Sequence, residues 1–138
     1  MDRKLISSGS PYEPKVGFSR AVRVGPHIAV AGTAPIAPNG GVACPGDLYG
    51  QTRRCLEIIQ KAIEDAGGKL EHVVRTRIFL RDMSRWEEAG RAHGEFFKNI
   101  RPASTMIQIV QAIDPEWLVE IEADAIVDAV SPTPEARA

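Results

Sequence analysis

The stretch Leu118-Val119-Glu120-Ile121-Glu122-Ala123-Asp124-Ala125-Ile126-Val127 alternates apolar and acidic residues with almost no break. Successive side chains of a strand point to opposite faces. The segment is therefore read as a strand over 118–127, with Val119, Ile121, Ala123, Ala125 and Val127 turned to a core and Glu120, Glu122, Asp124 and Asp128 turned the other way. Such a strand needs a layer to cover its apolar face, and that layer is legible upstream.

Leu48, Thr52, Cys55, Leu56, Ile59, Ala62, Ile63 and Ala66 recur every three or four residues, which predicts a helix with Asp47 as N-cap and Gly67-Gly68 as its stop. Ser84 followed three residues later by Glu87 reads as a capping box. It opens a second helix whose stripe is Trp86, Ala89, His93, Phe96, Phe97 and Ile100, and Pro102 ends it. Further strands are expected over 19–23 and 27–33, around the Gly25-Pro26 turn, and over 73–80 and 104–111. Within 73–80, Val74, Thr76, Ile78 and Leu80 share one face and Val73, Arg75, Arg77 and Phe79 the other. Prolines with Asn-Gly and Gly-Gly make 34–41 a surface loop. The order β-β-α-β-α-β-β gives an α+β fold, a mixed sheet with two helices on one face. Residues 1–16 read as an extended N-terminal extension, 17–130 as one domain and 131–138 as a loose tail.

Composition narrows the function classes. A chain of 138 residues fits one domain, and 43% hydrophobic with 25% charged residues is ordinary for a globular protein. There is no apolar run of membrane-spanning length, and the N-terminus lacks the apolar stretch of a secretory signal, so a cytoplasmic protein is expected. A net charge of −1 argues against nucleic acid, which is bound by clustered Lys and Arg. Cys44 and Cys55 have neither C-x-x-C spacing nor a histidine placed as a zinc partner; Cys55 falls on a helix stripe as a small hydrophobe, Cys44 in a loop. No metal and no cofactor are expected. On the sheet's second face Met106, Val110 and Leu118 stand beside Gln108, Glu120 and Arg77, a mixture that suits an interface between copies of the chain with a site between them.

Ile100-Arg101-Pro102-Ala103-Ser104-Thr105, then Leu118-Val119-Glu120-Ile121-Glu122-Ala123, with Val30-Ala31-Gly32-Thr33 earlier and Glu95-Phe96-Phe97 closing the second helix, resemble the signatures of the Rid family, the reactive-intermediate deaminases also called YjgF or endoribonuclease L-PSP. The resemblance runs over about residues 16–128. It implies a chorismate-mutase-like fold, a homotrimer whose sheets line a central barrel, and three clefts between subunits that take a small molecule. It also implies hydrolysis of imines and enamines without a cofactor: an arginine grips the substrate carboxylate through two charged hydrogen bonds, and a glutamate positions the attacking water. The glutamate matches Glu120. The arginine, two positions after Pro102, is matched by Ser104. The family's tyrosine near the first strand is matched by Phe18 and its helix asparagine by Gly90.

The expected site is therefore Glu120 as the catalytic acid or base, with Phe18, Gly32, Thr33, Gly90, His93, Arg101, Ser104 and Met106 around the ligand. Without the bidentate arginine, ordinary 2-imino acids lose binding worth about two powers of ten in rate. Arg101, placed in a strand before the proline, and Arg91 are candidate replacements, or else surface charges. His93 is read either as a packed histidine bonded through one nitrogen or as a cleft donor. Glu122 and Asp124 are read as a sheet face with Arg75 and Arg77 as cross-strand partners. Three functions stay open: a cofactor-independent deaminase of imines, enamines or related C–N electrophiles; a trimer that binds a small metabolite without turning it over; and, disfavoured by charge, a ribonuclease.

Overall fold

A computed structural model describes residues 2–128. Six strands and three helices occur in the order β1 (Arg3–Ile6), α1 (Tyr12–Val16), β2 (Ala21–Val24), β3 (His27–Thr33), α2 (Leu48–Asp65), β4 (Val73–Leu80), α3 (Trp86–Phe97), β5 (Ala103–Gln108) and β6 (Val119–Ile126). They build one mixed sheet, β1-β2-β3-β6-β4-β5. The β4/β5 pair is parallel and every other pair antiparallel. A parallel pair requires a crossover, and α3 supplies it.

The helices cover one face. Helix α2 lies against α3, β6 and β3, and Leu56, Ile59 and Ile63 meet Ile28, Ile78 and Ile121 of the sheet with no solvent exposure above 1%. Burying an aliphatic side chain this fully contributes about 1.5–3 kcal/mol. Cys55 is part of the same core, as its helical position suggests. The alternation of β6 holds: Val119, Ile121, Ala123 and Ala125 are buried while Glu120, Glu122 and Asp124 are half-exposed. Asp47 caps α2 by accepting from the Gly50 amide at 3.0 Å. At the other end Gly67 takes φ +90°, a left-handed turn that suits glycine.

Several expectations are corrected. The N-terminal segment, read as an extended extension before the first structure, already carries two elements: β1 pairs with β2 along its whole length and α1 follows it. The Ser84/Glu87 capping box does not form; Asp82 takes the capping role, accepting from the Ser84 amide and hydroxyl at 3.0 and 2.6 Å, and α3 begins at Trp86 after a short 3-10 turn. One extra residue in β4 between Val73 and Arg75 reverses the facing there, so Val73 is buried and Val74 exposed. Strand β5 stops at Gln108, and Val110 is 95% exposed. Met106 and Gln108 do not belong to the second face: they stand opposite Ile78 and Leu80 of β4, on the helix side, where Met106 packs against the core. The expected tail, 131–138, lies outside the described residues.

Gln51 ties α2 to the start of β6. Fully buried, it donates from Nε2 to the Glu116 carbonyl at 3.0 Å and accepts from the Leu118 amide at 2.8 Å. Gln51→Leu would orphan both backbone groups, and an unmet buried group costs about 1–3 kcal/mol. The variant is expected to lose about 2–4 kcal/mol in urea unfolding with an unchanged denaturant slope; a loss under 0.5 kcal/mol would contradict that role.

Candidate active site

The site begins with an irregularity. Between Val30 and Thr33, β3 carries one residue more than β6 opposite, which runs only from Ala123 to Ile121. A bulge of this kind breaks the ladder locally and re-aims the groups beside it. The Gly32 carbonyl accepts from Arg20 Nη1 at 2.7 Å, and the same nitrogen reaches Thr33 Oγ1 at 3.1 Å. Thr33 Oγ1 in turn donates to the Ala31 carbonyl at 2.8 Å. Arg20 is 5% exposed and held from behind by Glu13, itself 5% exposed, at 3.8 Å, and by Ser8 Oγ at 3.3 Å. Burial alone would raise the Glu13 carboxyl, but hydrogen bonds from Ser8 and Ser7 and the Arg20 charge hold it below the usual range. Burial lowers the Arg20 value, while Glu13 and Glu120 oppose that, and the guanidinium stays charged.

Glu120 reaches over this bulge. Its Oε2 lies where a Cβ on residue 32 would be 3.5 Å away, so glycine keeps open the space beside the carboxylate. Among the described residues no hydrogen bond ends on that carboxylate. Burial, assisted by the like charge of Glu122, pushes its pKa up, and Arg20 only partly offsets this. A half-buried carboxylate without a fixed donor, held above its ordinary value, is suited to accept a proton from water. It opens on a pocket of about 670 Å³, a size typical of small-molecule sites, lined also by Phe18, Gly32, Thr33, Arg54 and Trp117. Tyr12 meets Trp117 edge to face at 5.8 Å and joins the N-terminal segment to that wall.

Of the residues singled out from sequence, Phe18, Gly32, Thr33 and Glu120 are thus brought together in one pocket. Gly90, His93, Arg101, Ser104 and Met106 lie outside it, around α3 and β5. There His93 Nε2 stands 2.9 Å from Thr76 Oγ1, which donates to Ser104 Oγ at 2.8 Å. Burial lowers the pKa of His93, so the ring is neutral at physiological pH, packed 4.6 Å from Phe97. Arg101 is not in a strand: it precedes β5 with φ +59° and its amide bonds the Phe97 carbonyl at 2.7 Å, closing α3. Gly90 leaves room for the Trp86 ring, 3.6 Å from where a Cβ would stand. Arg91 lies over the Tyr49 ring at 4.2 Å. Arg75 and Arg77 stand opposite Asp124 and Glu122 across β4 and β6, as expected, and Arg77 bridges Glu122 and Asp124, at 3.2 and 3.3 Å.

Sequence reasoning missed Arg20, Glu13 and Arg54. The available signal for Arg20 was an arginine at period-two spacing between Phe18 and Val22, directly ahead of an apolar strand.

Fold and pocket together define an α+β domain with a pocket of small-molecule size. The family model of Endoribonuclease L-PSP matches residues 9–127, and the chain belongs to that family, also known as YjgF or Rid. It is 38% identical to an uncharacterised protein of Streptomyces coelicolor over 92% of this chain and 94% of that one. It is 32% identical to the 3-aminoacrylate deaminase RutC of Acinetobacter baylyi, over 85% and 91%. Among solved structures, a YjgF/YER057c/UK114 family member from Mycobacterium tuberculosis superposes with TM-score 0.83 at 46% identity, over 91% of this chain and all of that one. The YjgF product of E. coli gives 0.78 at 25%, over 89% and 98%.

The raised Glu120 value has a stability consequence. The folded state holds this proton more tightly than the unfolded chain, so stability falls as pH rises from the ordinary 4.5 through the raised value. Glu120→Gln removes that cost. The variant should melt above the parent at about pH 7.5 and coincide with it near pH 4; equal melting temperatures at both would show an unperturbed carboxyl.

Proposed function

We propose that this chain hydrolyses a small imine or enamine in clefts between the subunits of a homotrimer, with Glu120 as the base that positions and deprotonates water. An enamine first tautomerises to its imine by taking a proton at carbon; water then adds to the C=N carbon as Glu120 takes its proton, the proton passes to nitrogen, the C–N bond breaks, and a carbonyl compound and ammonia or an amine leave. The observation that carries the reading is the Glu120 carboxylate, without a hydrogen-bond partner among the described residues and raised by burial, above the Gly32 gap. Similarity to a 3-aminoacrylate deaminase supports the same reaction class, since aminoacrylate is an enamine.

Ser104 stands where the family arginine is expected, so ordinary 2-imino acids should be poor substrates. That same substitution favours the second reading, a trimer that binds a small metabolite without turnover. A ribonuclease reading has no net positive charge to draw on, since the chain carries −1, and Arg53, Arg77 and Arg85 are each paired with carboxylates. No helix among the described residues is long and apolar enough to cross a membrane.

With imines generated in situ by an amino-acid-processing enzyme, the protein should accelerate imine decay, and Glu120→Gln should slow it about 100-fold or more. Ser104→Arg should raise turnover of 2-imino acids. An absence of acceleration across imines and enamines would leave the binding reading in place of the catalytic one. In solution the particle mass should be about three times the 15.0 kDa of the chain; light scattering that returns a single chain mass would remove the shared cleft.

A further inference from the structure

We infer that Arg54 forms an anion-binding subsite in the Glu120 pocket, so that the ligand carries a carboxylate at one end and its reacting carbon at the other. This rests on the proposed reading of that pocket.

Two cations line the cavity, Arg20 and Arg54. They are differently committed. Arg20 is enclosed, with Nε on Ser8, Nη1 on Gly32 and Thr33, and Glu13 behind it. Moving it toward a ligand would strip the bulge of the donor that satisfies its carbonyl. Arg54 is anchored at one point, where Nε donates to the Ile36 carbonyl at 2.6 Å. That bond holds the guanidinium by one edge, and Arg54 remains a lining residue of the pocket. Its remaining partner is Glu57, 3.5 Å away, one turn along α2 and half-exposed. A solvent-screened pair at that spacing is weak and readily displaced, whereas a ligand carboxylate in a partly enclosed pocket can take both terminal nitrogens. Arg54 and Glu120 both line the pocket of about 670 Å³, which has room for a small acid.

Levulinate, a stable acid whose carboxylate and ketone carbon are separated by two methylenes, is a suitable probe, with methyl levulinate as its uncharged counterpart. Arg54→Gln keeps an amide for the Ile36 carbonyl and removes the charge; Arg54→Lys keeps the charge and removes the planar fork. Calorimetry or ligand-observed NMR on the full chain should show levulinate bound by the parent, at least tenfold more weakly by Arg54→Gln, and at intermediate strength by Arg54→Lys. Methyl levulinate should bind weakly to all three. Unchanged levulinate affinity in Arg54→Gln, an ester that binds as well as the acid, or no binding to the parent would overturn the assignment. The two proposals fail separately. Imine turnover with levulinate binding insensitive to Arg54 sinks the subsite alone, and Arg54-dependent binding without turnover sinks the hydrolysis alone.

Discussion

The hydrogen bond from Arg20 Nη1 to the Gly32 carbonyl, 2.7 Å long, is the constraint from which the site follows. A bulge in β3 interrupts the ladder beside the exposed Gly32, so its carbonyl needs a donor from outside the ladder. Arg20 meets that need only because Glu13 and Ser8 make it tolerable to bury a guanidinium there. Those two residues come from the N-terminal segment, which β1 fastens to the sheet edge. Strand pairing at the chain start, an ion pair and a bulge are thus successive requirements for one open space beside Glu120.

The electrostatics of that space are unequal by construction. Glu13 has serine donors as well as Arg20 and is held below its usual range, while Glu120 shares the same arginine but has no hydrogen-bond donor among the described residues and is pushed up. Two carboxylates near one cation are thereby separated into a structural anion and an available base, the pattern by which folds assign acid and base roles. Glycine at 32 matters for the same reason, since it leaves the face of the carboxylate uncovered.

Much of the fold was legible because period and punctuation agree along the chain. The stripe from Leu48 to Ala66 and the alternation of 119–126 each admit one structure. What sequence did not reveal has specific causes. A one-residue bulge at Val74 inverts facing without any compositional mark, and Met106 was put on the wrong face because the register of β5 against β4 is set by tertiary pairing. Ser84 and Glu87 satisfy a capping pattern, yet Asp82 competes for the same donors and takes them. Of the candidate site, Phe18, Gly32, Thr33 and Glu120 were found through family likeness. Arg20 escaped notice because an arginine is ordinarily a solvated residue, and its burial depends on Glu13, seven residues earlier.

The most direct measurement is a carbon-13 NMR titration of the Glu120 side-chain carboxyl, assigned by its disappearance in Glu120→Gln. The account predicts a midpoint clearly above that of an ordinary glutamate, with Glu13 titrating below it in the same spectra. A Glu120 midpoint at or under the ordinary value would mean that the carboxylate is already satisfied, and the pocket would lose its base.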